Sequence, residues 1–237
     1  MLVKTKAIVI SSLKYQEKSL IVKCFTQSDG LKSYFVPSAF STKKSNQKIA
    51  YFQPLSILEI EASHKNKGTL EHFKEIKLAH AYQTISSDIV KSSIVFFLSE
   101  VILHSIHEEE KNDNLFAFLE SALIWLDAHD EMANFHLILM IEMTKFLGFY
   151  PDNSEIELRF FDVKEGTFSA LQGTNCLSEH ETFLFKKLLG LKFDSDQKVF
   201  SGTERQILLK TLLHYYTIHL DGFKKPKSLE VLKEVFS

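Results

Sequence analysis

The sequence predicts an α+β chain, with a small five-stranded barrel in residues 1–80 and an all-helical domain in residues 81–237 that carries a short β-hairpin. Three observations predict it. Short runs rich in β-branched and aromatic residues are confined to the first 80 positions, and after residue 86 the apolar spacing becomes helical. The charge also changes sign near His80: residues 1–80 hold thirteen lysines against six acidic residues, +7, whereas residues 81–237 sum to -9.

Residues 4–11 partly alternate polar with apolar, and residues 20–26 (LIVKCFT) are β-branched and aromatic, so both read as strands. Ser28-Asp29-Gly30 precedes the third run, where Gly30 supplies the positive φ of a tight hairpin. That run, 31–36, ends at Pro37, which has no amide to donate. A polar stretch at 38–48 leads to the fourth run, 57–62, and then the fifth, 70–78. Five short strands in this length suit a closed barrel without exposed edges, and the OB-fold is the common solution. An SH3-like barrel or an open sheet satisfies the pattern alone equally well.

Beyond Ser86, Ile89, Ile94, Phe97, Leu98, Val101, Ile102 and Ile106 form one helical stripe, and Leu115, Phe116, Leu119, Leu123 and Leu126 a second. The third helical run, 132–148, is apolar on several sides and stops at Gly148 and Pro151. Residues 156–171 break the rhythm and read as two short strands about Glu165-Gly166. Helices resume at Ser178, where Glu181 completes a capping box, and continue over 203–220 and 229–236.

Composition restricts the function classes. The longest aliphatic runs, 94–98 and 137–141, have five residues each, far short of the ~20 that a membrane-spanning helix needs. Cys24 and Cys176 build neither a disulfide framework nor a four-cysteine zinc site, so a reducing cytoplasm is expected. There is no G-x-x-x-x-G-K-[ST], G-x-S-x-G or H-E-x-x-H motif. Cys24, between Val22 and Phe25, reads as an inert core thiol; His104, His107 and Glu108 have the helical spacing of metal ligands, but the solvated helix end that follows, Glu109 to Asn112, favours plain surface residues. The expectation is a protein that is not an enzyme and needs no cofactor or metal.

Specific residues resemble a family. Lys6 to Ile10 (KAIVI), Tyr15 to Ile21 (YQEKSLI), Phe25-Thr26 with Asp29-Gly30, Tyr34 to Pro37, Lys43-Lys44-Ser45, Phe52 to Leu55 and Leu58-Glu59 are similar to the opening of the RecO family of bacterial recombination mediators. Phe146 to Pro151 is similar to that family's L-G-x-x-P element. Two features depart from it. Many members follow L-G-x-x-P with paired C-x-x-C motifs that bind zinc, where this chain has the hairpin at 151–177, a degenerate zinc-finger-like segment with Cys176 alone. The family's basic loop carries Gly and Arg where this chain has Ser38, Ala39, Phe40, Ser41 and Thr42.

The resemblance implies an OB-fold that binds single- and double-stranded DNA, strand annealing, and partnership with RecR and the acidic C-terminal tail of single-strand-binding protein to help load RecA. OB-folds hold single strands with a basic groove and aromatic faces, so Lys32, Tyr34, Lys43, Lys44 and Lys48 are the candidate DNA contacts. Lys32 and Tyr34, two apart, share a strand face. An acidic helical domain needs a local basic rim beside an apolar groove to receive an acidic tail; the candidates are Lys224, Lys225 and Lys227, and Lys186 with Lys187. A protein-interaction scaffold whose barrel has weakened or lost DNA binding remains the alternative, and a small hydrolase a third.

Overall fold

The structure, a computed structural model, describes residues 1–40, 49–65, 69–106, 111–130, 132–195 and 197–236. It divides into two compact units, Met1–Ala128 and His129–Ser237.

In the first unit, β1 (Leu2–Tyr15), β2 (Ser19–Thr26), β3 (Gly30–Val36), β4 (Ile57–Ser63) and β5 (His72–Leu78) form one antiparallel sheet in the order β3-β2-β1-β4-β5. The sheet closes on itself. The Phe35 amide donates to the Glu71 carbonyl at 2.9 Å and the Glu71 amide to the Ser33 carbonyl at 2.8 Å, a parallel contact between the two edges. Of the arrangements that the pattern allowed, the chain adopts the five-stranded OB barrel. The strands span more of the first run than the alternation indicated, because β1 pairs with β4 through Leu2 at one end and with β2 through Tyr15 at the other.

Strand β1 is buried on both faces from Ala7 to Ile10. Ala7 and Val9 enter the barrel core with Leu20, Val22, Cys24, Tyr34, Phe52, Leu58, Ile60 and Ala62. Lys6, Ile8 and Ile10 alternate with them, and on this outer side α1 (Ile89–Ser105) and α2 (Asp113–Ala128) pack. Phe116 of α2 meets Phe25 at 5.9 Å, and Glu120 accepts a hydrogen bond from Lys6 at 2.8 Å. Cys24 is a core thiol as expected, its pKa pushed well up by burial.

The segment joining barrel and helices is held by one carboxylate. Asp127, 5% exposed, accepts from the backbone amides of Gln83, Thr84 and Ile85 at 2.8–3.1 Å and contacts the His80 ring at 3.4 Å. The fully buried Lys91 ammonium donates to Thr84 Oγ1 at 2.6 Å and to the Asp127 carbonyl at 3.3 Å. These ties place α1 and α2 with the barrel, so the compact unit runs beyond the boundary expected at residue 80.

The second unit contains α3 (Phe135–Leu147), the hairpin of β6 (Phe160–Asp162) and β7 (Thr167–Ser169), α4 (Glu179–Leu189), α5 (Gly202–His219) and α6 (Leu229–Val235). Gly148 caps α3 in the left-handed conformation, and Ser178 and Glu181 form the expected capping box of α4. Ser201 and Glu204 form a second at α5. At the hairpin turn Gly166 has φ 71°, and a Cβ there would lie 2.8 Å from the Tyr215 hydroxyl. Phe161 anchors the hairpin, with ring centroids 5.0 Å from Phe168, 4.6 Å from Phe185 and 5.9 Å from Tyr215. Aromatic packing thus holds the segment that carries the hairpin. Among the described residues no three His, Cys, Asp or Glu side chains gather as a metal site, and no helix is long and apolar enough to cross a membrane.

Two stability predictions follow from these contacts. Burial by itself raises the Asp127 carboxyl, but the three amides and His80 outweigh it and bring the pKa down from 3.8 to about 2. A depressed folded pKa stabilises above the unfolded value, so roughly 2 kcal/mol should be present at neutral pH and lost as pH falls from about 4 to 2. Asp127→Asn should therefore unfold at lower urea concentration at pH 7, and the gap from wild type should narrow near pH 2. Phe161→Ala should cost about 3–5 kcal/mol, the usual range for deleting a buried ring, while chelation with EDTA leaves the wild-type Tm unmoved.

Candidate nucleic-acid interface

Alternation along β3 sorts its side chains to opposite sides of the barrel wall. Lys32 and Tyr34 do share a face, and it is the inner one: they are 6% and 0% exposed. Tyr34 stacks on Phe73 with centroids 4.0 Å apart, and its hydroxyl lies 2.8 Å from His64 Nε2, while His64 Nδ1 is 3.1 Å from Asp29. A carboxylate only accepts, so the Nδ1 proton donates to Asp29, and in the neutral ring Nε2 accepts from Tyr34. Burial, with the Cys24, Asp29 and Glu71 charges, pushes the Tyr34 hydroxyl above its usual range and keeps it a neutral donor. This corrects the sequence reading of Tyr34 as a stacking platform and of Lys32 as its basic neighbour. A ring enclosed on both sides offers no face to a base, and a buried ammonium reaches no phosphate backbone. Lys43, Lys44 and Lys48 lie outside the described residues, as do His107 and Glu108.

The residues between them point outward. On β3 these are Leu31, Ser33 and Phe35, paired across to Phe25, Lys23 and Ile21 of β2, and Ile21 is opposite Leu13 of β1. The Phe35 ring meets Tyr15 edge-on at 6.2 Å and His72 edge-on at 6.0 Å. Tyr15 is 43% exposed and Leu13 61%. Around this surface stand Lys18 on the β1–β2 turn and Lys23 on β2, while Lys14, opposite the core residue Leu20, lies on the other face at the end of β1; none has an acidic partner among the described residues, and Lys14 lies over the Phe40 ring at 5.7 Å. The Phe40 amide donates to the Lys18 carbonyl at 3.4 Å, so the β1–β2 turn and the segment that leads into residue 41 meet at one end of the barrel.

Three further lysines of the barrel are paired with carboxylates: Lys4 with Glu61 at 3.2 Å, Lys6 with Glu120 at 2.8 Å and Lys77 with Glu75 at 2.9 Å, all on the side formed by β1, β4 and β5, where Lys74 of β5 is exposed without such a pair among the described residues. Sequence reasoning did not single out Phe35 or Tyr15 as contacts, although strand parity marks Phe35 as facing opposite to Tyr34.

In the second unit, α5 and α6 enclose a groove of ≈ 430 Å³, with Ile207, Leu209, Leu213 and Leu229 in its lining and Lys210, Lys225 and Lys233 beside them. Of the expected rim, Lys225 lines it, and Lys224 and Lys227 are exposed nearby in sequence. Lys186 is not available as a free rim charge, since its ammonium donates to the Leu158 carbonyl at 2.5 Å and lies over Phe168. Lys187 is exposed, over Phe183 at 4.7 Å.

Comparison with known proteins agrees with this architecture. Residues 1–82 match the family model described as Recombination protein O N terminal, and residues 86–230 that described as Recombination protein O C terminal. The chain is 69% identical to the DNA repair protein RecO of Flavobacterium johnsoniae over 237 residues and to that of Flavobacterium psychrophilum over 238. It is 41% identical to the RecO of Christiangramia forsetii, and in all three cases the whole of both chains is covered. Matched in both parts and aligned from end to end, a barrel followed by helices and a small hairpin, this chain belongs to the RecO family of DNA repair proteins.

Proposed function

We propose that the chain is a non-catalytic mediator of DNA repair and homologous recombination in the cytoplasm, which binds single- and double-stranded DNA, promotes strand annealing and, with RecR, helps load RecA on gapped DNA. The observation that carries the reading is a set of lysines without an acidic partner among the described residues, Lys14 at the end of β1, Lys18 on the β1–β2 turn and Lys23 on β2, beside the β2–β3 face by which OB-folds hold oligonucleotides. Lys43, Lys44 and Lys48, outside the described residues, are proposed as further phosphate contacts. Lysines meet phosphates without reading bases, which suits a protein that must act on any sequence.

The acidic C-terminal tail of single-strand-binding protein is proposed to occupy the α5–α6 groove. Its carboxylates meet Lys210 and Lys225, beside Lys233, which Glu230 holds at 2.9 Å, and its apolar terminus meets Ile207, Leu213 and Leu229. Such a local rim overcomes the -9 charge of residues 81–237 only at short range.

The scaffold reading gains from the burial of Lys32 and Tyr34, and a salt titration decides between the two. With about four to six phosphates neutralised, log K for a single strand should fall against log salt with a slope of roughly -3 to -4. Replacing Lys14, Lys18 and Lys23 by Ala together should weaken binding to all sequences alike and flatten the slope by about 2. A flat salt response favours the scaffold. For the groove, Lys210→Glu with Lys225→Glu and Lys233→Glu should reduce capture of the tail peptide at least about tenfold while DNA binding persists. Lys186→Glu with Lys187→Glu should leave peptide capture unchanged.

A further inference from the structure

The outward row of rings on the barrel has a geometry that a duplex cannot match. Phe35 is perpendicular to Tyr15 and to His72, at 87° in both cases, with centroids about 6 Å apart. Among the described residues no ring lies parallel to any of the three. On the inner face, by contrast, Tyr34 and Phe73 are stacked at 14° and consume each other's surface. Bases in a duplex are parallel and rise by ~3.4 Å. Rings set perpendicular at nearly twice that spacing can take bases only from a strand whose own stacking is broken. The surrounding cations suit the same ligand, since Lys18 is on the turn that follows Tyr15 and Lys23 sits across from Ser33, two residues from Phe35.

From this, and resting on the DNA-binding reading above, we infer that Tyr15, Phe35 and His72 form a stacking shelf for unpaired bases, which gives this face a preference for single-stranded nucleic acid over duplex. Phosphate contact is supplied by the lysines for both kinds of strand, and the shelf adds a term that only flipped-out or unpaired bases collect. Leu13 and Ile21 extend it as apolar floor on β1 and β2.

The test compares the full chain on a single-stranded oligothymidylate and on an oligomer of the same length whose residues are abasic, which has the same phosphates and no rings. The wild type should bind the base-bearing strand at least about tenfold tighter, since one stacked base contributes roughly that factor. Tyr15→Leu and His72→Ala, both at exposed positions, should each reduce this ratio, and Phe35→Leu should bring it close to one, with affinity for the abasic strand unchanged throughout. A wild-type ratio of one, or a ratio that the three variants leave in place, overturns the shelf while leaving the lysine site standing. Failure to bind either strand overturns the DNA reading and the shelf with it. Because Tyr15 lies at the end of β1, its variant keeps the test decisive even if Phe35→Leu fails to fold.

Discussion

Closure of the sheet between β3 and β5 is the constraint from which the rest of the first unit follows. The contact of Ser33 and Phe35 with Glu71 fixes the register of the last strand, and a slip by one residue would exchange every inward side chain for an outward one. In the register adopted, Tyr34 enters the core against Phe73, which stacks in turn on Phe52, and Phe35 leaves it beside His72. The core therefore carries an internal polar chain from Asp29 through His64 to Tyr34, at the end of the barrel where Glu71 also accepts the Lys65 amide at 2.9 Å. Unsatisfied, those buried groups would each cost about 1–3 kcal/mol. Satisfied, they specify one closed arrangement, and the outer face inherits its order from them.

Electrostatics then divides the barrel's surface. Glu59, Glu61, Glu75 and Glu120 gather around Lys4, Lys6 and Lys77 and leave that side near neutral, whereas the exposed Lys18 of the β1–β2 turn and the half-buried Lys23 of β2 have no such partners among the described residues. Charge summed along the sequence thus overstates how much of the barrel attracts an anion and understates how localised the attraction is. The helical unit shows the converse. Its total is negative, yet α5 and the Lys225 segment bring Lys210 and Lys225 to an apolar floor, beside Lys233 paired with Glu230 on α6.

Elements governed by local rules were legible from the residues: the strands, the Gly30 and Gly166 turns, the Gly148 stop and the Ser178 capping box. That Lys32 and Tyr34 share a face was legible too, because period two needs no tertiary information. Which face was not, since alternation is symmetric until closure makes one side the interior. Lysine and tyrosine also look like ligand-binding types, although here both are buried, with Tyr34 engaged in the core's polar chain. Asp127 escaped notice for a similar reason: its partners at Gln83–Ile85 are some forty positions away. The available signal was an acidic residue at a helix C-terminus, where the dipole disfavours it unless other donors compensate. Lys186 shows the limit of composition, because its pairing with Leu158 depends on where the hairpin docks on α4.

The central claim, that the outer face of β1–β3 is where nucleic acid lies, is tested most directly by amide hydrogen exchange of the full chain with and without a saturating single-stranded oligonucleotide. The account predicts slowed exchange in peptides covering residues 13–23, 31–40 and 70–74, with α5 and α6 unchanged. Slowing confined to the helical unit, or spread over the β4 side where the lysines are already paired, would contradict it.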